Sequence, residues 1–440
     1  MNLSILKKSA SFQGESLRNT ETVLGEFLQW AADNVDHDLS TIDGKNSIHI
    51  MGIIQTITPS NGRFADLSIC RKTNITAIDI AATFKPAIHY FNGDLSDKIK
   101  FERIQKHNIV SIINPTWGAD LIWKASCLFR TPRPSWLGTM QAVYKKKLDY
   151  PGKSETIPLP MINLDPNDLS CIYSTLKFVT GQARKNNCAA ILTFDQPLFW
   201  KASSIVDSET EDSDIQAVIL KIGGLHLEMS FLGSIGHLMA GTGLIDLLGC
   251  VYAENSVPYL LSGKAISRAI RGHTLASAAL NTMLMSSALN IPLRNVEQIK
   301  HACLTGLETK DNTENESIIE EHIDTESSNE GDDVLKKFDR IFEELINSDK
   351  PPNFANIDND LLMIRDKYFH LRSTLTDRTS ILWLMYLDMV DILLSFIKSE
   401  RTGDWSLHLQ STRAMLPFLA ASGRFLYVKM YLYTFKKWKS

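Results

Sequence analysis

Asp195 directly follows the apolar run Ala189-Ala190-Ile191-Leu192-Thr193-Phe194, and Gln196-Pro197-Leu198 after it reads as a helix start. A carboxylate at the carboxyl end of a buried strand lies on the edge where α/β folds expose side chains to ligands. There it can hold a divalent cation if a second carboxylate converges on it. The same position suits a helix N-cap with Pro197 in the first turn, and position alone does not separate the two roles. Two groups of acids could supply the partner. Asp33 and Asp36 follow Phe27-Leu28-Gln29-Trp30-Ala31-Ala32. Asp388 and Asp391 stand three residues apart within the apolar run 381–397, so a helix puts them on one face. Acids at strand ends plus an acidic helix are what two-metal phosphoryl transfer needs. A narrow solvated stripe on an amphipathic helix produces the Asp388 and Asp391 spacing equally well.

A second set of residues is cationic. Lys264, Arg268, Arg271 and His273 recur at helical spacing and form the best candidate for phosphate contacts, beside the plainer reading of a solvated face. His226 and His237 read as satisfied histidines rather than bases, and Gly233 and Gly236 as permitting close helix packing. There is no G-x-x-x-x-G-K-[ST] phosphate loop and no G-x-S-x-G elbow, so neither a P-loop nucleotidase nor a serine hydrolase has support. The six cysteines are scattered without zinc-ligand spacing, as in the reduced interior of an intracellular protein.

The elements that must position these groups are legible in outline. Residues 47–58 form a β-branched apolar strand closing at Pro59, joined by a turn to a strand that begins at Phe27 and carries the acids at its mouth. Asp165-Pro166-Asn167-Asp168 opens a helix over 170–185; strands follow at 189–194 and 217–222, with a helix over 198–206 between them. Alternating strands and helices indicate an α/β layer. From 226 to 289, and again over 334–347, 358–399 and 407–419, the periodicity is helical.

The chain has 440 residues, 44% hydrophobic and 22% charged, enough for two or three domains and a core that needs no disulfides. Its formal charge of -4 conceals a split: residues 308–333 hold eleven acids and one base, leaving the remainder net positive by six. A mildly basic body is compatible with nucleic acid. The acidic stretch reads as a disordered linker. The apolar run 381–397 is interrupted by two acids, which argues against a membrane span.

Several segments together resemble a large, poorly characterised, many-copy metazoan family that looks derived from mobile elements, the CXC-domain-related proteins. They are Ala32-Asp33-Asn34-Val35-Asp36-His37, the strand with His49-Ile50-Met51-Gly52-Ile53-Ile54, Thr193-Phe194-Asp195-Gln196-Pro197-Leu198-Phe199-Trp200-Lys201-Ala202, Gly223-Gly224-Leu225-His226 with Met229-Ser230-Phe231-Leu232-Gly233, Leu261-Ser262-Gly263-Lys264-Ala265 with Arg271-Gly272-His273, and Glu400-Arg401-Thr402-Gly403-Asp404-Trp405. The resemblance itself carries no established chemistry. By analogy, transposases of ribonuclease H-like fold place one Asp on a first strand, a second after a later strand, and a third acid on a helix. Here the matching residues are Asp33 or Asp36, then Asp195, then Asp391 or Glu400, with Mg²⁺ or Mn²⁺ as the implied cofactor. The expected architecture is an α/β core, ribonuclease H-like by this analogy, with a mostly helical C-terminal half. Its parts are a tail at 1–26, the core at 27–307, the acidic linker at 308–333 and a helical region at 334–440. The expected function is transposase-like phosphoryl transfer on DNA, or else a catalytically inactive DNA-binding or protein-interaction scaffold, off the membrane and in the nucleus or cytoplasm.

Overall fold

The computed structural model describes residues 26–38, 47–59, 86–93, 117–128, 133–144, 152–293, 329–347 and 359–437. Its elements begin β1 (Phe27–Asp38), β2 (Ser47–Thr58), α1 (Trp117–Ala125), α2 (Trp136–Tyr144), β3 (Glu155–Pro158), α3 (Leu169–Lys185), β4 (Ile191–Phe194), α4 (Gln196–Ser208) and β5 (Ile219–Ile222). They continue with α5 (Gly224–Leu238), α6 (Leu244–Gly249), α7 (Val257–Leu261), α8 (Ile266–Leu289) and α9 (Asn329–Asn347). The last four are α10 (Asn359–Thr374), α11 (Arg378–Thr402), α12 (Trp405–Ala421) and α13 (Phe425–Lys437). The chain forms two compact units, one from 1–105, 151–227 and 429–440, the other from 106–150 and 228–428.

The first unit is built on a mixed five-stranded sheet of order β3-β2-β1-β4-β5. β1 and β2 are antiparallel, as are β2 and β3, while β1 with β4 and β4 with β5 run parallel. Successive side chains of a strand point to opposite faces. Leu28, Trp30 and Ala32 of β1 are therefore buried together with Ile57 and Ile53, their cross-strand neighbours or near neighbours on β2. Leu192 and Phe194 extend this buried face. α4 packs on β4, β5 and α3, burying Leu198, Phe199, Ala202, Ile205 and Val206. Each large apolar side chain so buried contributes about 1.5–3 kcal/mol. Asp168 starts α3 by accepting from the Ser170 N–H at 2.8 Å. β1 does not end before its acids: it runs on through Asp38 because β2 pairs with it residue for residue, Val35 opposite Ile50 and Asn34 opposite Met51.

The second unit is helical among its described residues, and α11 is its central element. Asp377 caps it by accepting from the Ser380 N–H at 2.9 Å, and Gly403 ends it in the left-handed region at φ 68°. The helix is long and apolar enough to cross a membrane, yet Leu387, Val390, Leu393, Leu394 and Ile397 are buried, with α8 and α12 packed beside it. Its charged residues face partners. Lys124 of α1 donates to Asp391 at 2.6 Å, Arg372 of α10 donates to Asp388 at 2.6 Å, and Lys398 donates to Asp120 of α1 at 2.6 Å. Burial alone would lower the Lys124 ammonium, but Asp391, Tyr368 and Asp120 together outweigh it and hold the group above its ordinary range.

α5 and α7 approach with almost nothing between their backbones. A Cβ on Gly236 would stand 2.1 Å from the Leu261 carbonyl oxygen, and one on Gly263, at φ +78°, would stand 2.1 Å from that of Met229. The spacing of Gly233 and Gly236 was expected to permit such packing, and the contact at Gly236 realises it.

This division differs from the sequence-based 27–307 and 334–440. The described residues of 228–307 join the C-terminal helices because their apolar faces are buried among helices rather than on the sheet. The expected linker at 308–333 lies outside the described residues up to 328, and its last five residues already belong to α9.

Candidate carboxylate site

Trp30 pairs with Leu192 and Ala31 with Thr193 where β1 and β4 lie parallel. Carried two residues further, that offset sets Asp33 abreast of Asp195. Ala31 and Asp33 share one face of β1, and Asp195 follows directly on the last residue of β4. Asp195 follows the carboxyl end of β4 and Asp33 lies within β1, where these adjacent strands run parallel and their chains depart in opposite directions, β1 to β2 and β4 through α4 to β5. Such a switch point opens a crevice for ligands. Across from Asp33 on β2 is Gly52, where a Cβ would stand 2.5 Å from Val35 Cγ2, so the Val35 side chain takes the space that a larger residue at 52 would need.

Asp195 performs the capping role proposed for its position. Its Oδ1 accepts from the Leu198 N–H at 3.0 Å and caps α4. A carboxylate has a second oxygen, so capping does not exhaust it. Burial pushes the Asp195 carboxyl above its ordinary range; the Leu198 N–H pulls it down, Asp33 pushes it up, and His226 and Lys201 pull it down again, with a net rise. Neighbouring carboxylates repel, and a cation between them relieves the repulsion.

His226 and Lys201 complete the surroundings. His226 lies in the first turn of α5, directly after β5, and a Cβ on Gly223 would stand 3.8 Å from its Nδ1 and 3.9 Å from Thr193 Cγ2. The Gly223 N–H donates to the Phe194 carbonyl at 2.8 Å, which holds that turn against the end of β4. From sequence alone, His226 reads as a satisfied histidine and is not placed beside Asp195. The signal was Gly223-Gly224 closing a strand immediately before it.

Other expected site residues go elsewhere. Asp36 is on the opposite face of β1, 2.8 Å from its cross-strand neighbour His49, so it does not join Asp33. Asp391 and Glu400 belong to the second unit, Asp391 paired with Lys124 and Glu400 2.7 Å from His408 Nδ1. Lys264, Arg268 and Arg271 are exposed, but His273 is 1% exposed and shares a hydrogen bond of 3.0 Å with the Tyr386 hydroxyl. Two residues beyond Arg271 is more than half a helical turn, which rotates His273 into the core and out of the basic face. Burial pushes it down to about 4.

Glu228 forms a smaller cluster in the second unit. Burial pushes its carboxyl up to about 7, Arg401 pulls it down and Glu400 pushes it up. A raised acid stabilises the fold below its unfolded value near 4.5, and that contribution is lost as pH rises toward 7. Glu228→Gln will therefore melt at a higher temperature than wild type at pH 8, with the difference shrinking by pH 5. Thermal melts at the two pH values measure it, and equal shifts at both would refute the assignment.

Among the described residues no three or more His, Cys, Asp or Glu side chains are close enough to hold a metal ion. Asp33 and Asp195 offer two carboxylates, a donor set suited to Mg²⁺, which keeps waters and takes its other oxygens from a substrate. No curated protein and no solved structure matches the chain. Residues 135–438 match the family described as Domain of unknown function (DUF8702), a stretch that includes Asp195, His226 and the exposed cations, with Asp33 ahead of it. That stretch is more than half of the chain, and the protein belongs to the DUF8702 family.

Proposed function

We propose that the first unit is the ribonuclease H-like core of a mobile-element-derived, transposase-like protein that carries out metal-dependent phosphoryl transfer on nucleic acid. The observation that carries this reading is the parallel register of β1 and β4, Ala31 beside Thr193, which carried two residues further sets Asp33 abreast of Asp195. The sheet order supports it, with an antiparallel β1-β2-β3 meander and two parallel strands added beyond β1. When bound, Mg²⁺ or Mn²⁺ supplies Lewis-acid stabilisation of charge on phosphoryl oxygens. Asp33 and Asp195 would hold the ion. The exposed Lys264, Arg268 and Arg271 would contact DNA phosphates, in a protein acting in the nucleus or cytoplasm and off the membrane.

A second reading has its own observation. Asp391 and Glu400, the acids expected to supply the helical ligand, are both engaged within the second unit, Asp391 in an ion pair with Lys124 and Glu400 against His408. That favours a catalytically inactive scaffold that binds DNA or protein. Mn²⁺-dependent nicking of supercoiled plasmid by the full chain decides between them. Nicking by wild type that is lost in Asp33→Asn and kept in Asp36→Asn supports the nuclease. Equal nicking by all three overturns it, and DNA binding without nicking supports the scaffold.

A further inference from the structure

The segment 86–93 lies along α3 in the first unit. The His89 N–H donates to Ser174 Oγ at 2.8 Å, and the Phe91 N–H donates to Ser170 Oγ at 3.3 Å. Between segment and helix is a cavity of about 190 Å³ lined by Ala87, His89, Lys177, Gly181 and Lys185 among others. Lys177, Gly181 and Lys185 recur every four residues on one face of α3, so the two ammonium groups flank a glycine over roughly 12 Å of helix. Gly181 has nothing within 4 Å of where a Cβ would be, which leaves the floor open between the cations. Neither lysine is ion-paired among the described residues; Lys177 instead lies 5.5 Å from the Tyr173 ring centre. The neighbouring cation Arg184, by contrast, is paired with Asp214. On the segment itself Tyr90 is 73% exposed, beside exposed Ile88 and His89.

We infer that this groove binds a single strand of nucleic acid, with Lys177 and Lys185 on its phosphates and Tyr90 stacking on a base. Cations tracking a backbone beside an exposed aromatic ring are how proteins hold single strands without reading sequence. Charge complementarity selects a polyanion, since two unpaired ammonium groups face one open channel. The exposed ring selects a strand with accessible base faces over a duplex. The inference shares with the nuclease reading only the choice of nucleic acid as ligand, and its residues are distinct from Asp33 and Asp195.

The test is a fluorescence-anisotropy titration of the full chain with a labelled 20-nucleotide DNA strand, in EDTA, over a series of salt concentrations. Lys177→Glu with Lys185→Glu should weaken binding at least tenfold and flatten the dependence of log K on log salt by about 1.4, at about 0.7 per phosphate contact. Tyr90→Ala should weaken single-strand binding about tenfold with little change in that slope. Lys185→Gln, at an exposed position, provides a readout if the double variant misfolds, with an expected flattening of about 0.7. Unchanged affinity and slope overturn the groove, as does equal displacement of the strand by polyglutamate at matched charge. Because no divalent cation is present, a failed nicking assay leaves this result standing, and a failed titration leaves the carboxylate pair standing.

Discussion

Asp195→Ser should fold as stably as wild type, within about 0.5 kcal/mol, and lose Mn²⁺-dependent nicking by at least about a hundredfold. Asp195→Ala should lose the same activity and about 1 kcal/mol of stability besides. The difference follows from the two jobs of one carboxylate. Its Oδ1 caps α4 through the Leu198 N–H, a task a serine hydroxyl performs nearly as well. Its negative charge beside Asp33 is what would hold a cation, and serine does not supply it. Chemical denaturation of both variants, run beside plasmid nicking, separates the roles. If Asp195→Ser nicks like wild type, Asp195 is a cap and nothing more.

Asp120→Ala should destabilise the second unit by about 3–5 kcal/mol, the largest effect expected of any single change discussed. Lys398 is 1% exposed at its side chain, donates to Asp120 at 2.6 Å and stands 5.6 Å from the Trp136 ring centre. Asp120 also accepts from the Trp136 indole N–H at 3.0 Å. Removing the carboxylate therefore leaves a buried ammonium and an indole N–H without that acceptor. Lys398→Met paired with Asp120→Leu removes both charges and should recover most of the loss, because two buried charges are costly to desolvate even when matched. Urea denaturation of the two variants measures the contrast, and equal losses in both would show that packing rather than charge is at stake.

The local elements were legible because their signals are local. The helix over 170–185 and the strand over 189–194 correspond closely to α3 and β4, and Pro59 closes β2 as its turn residues implied. β3 was passed over: at four residues, Glu155–Pro158, it is too short to show alternation, and its pairing with β2 alone makes it a strand. α13 was expected only as part of the helical region 334–440, without bounds, since its apolar and aromatic residues, from Phe425 to Phe435, do not fall into one clean stripe. At the site, sequence could nominate Asp33 and Asp36 but not choose between them. The choice depends on which face of β1 turns toward β4, a matter of register set by a strand some 160 residues away. Asp391 illustrates the opposite limit. An acid in an apolar helix invites a functional reading until its partner is known, and Lys124 lies 267 positions earlier in the chain.

The glycine contacts joining α5 to α7 have a dynamic consequence. Side chains normally cushion two helices and let one breathe without the other, but here carbonyl oxygens abut bare α-carbons. Neither segment can loosen alone, so their amides should exchange hydrogen for deuterium in a single shared opening event, with one protection factor covering both.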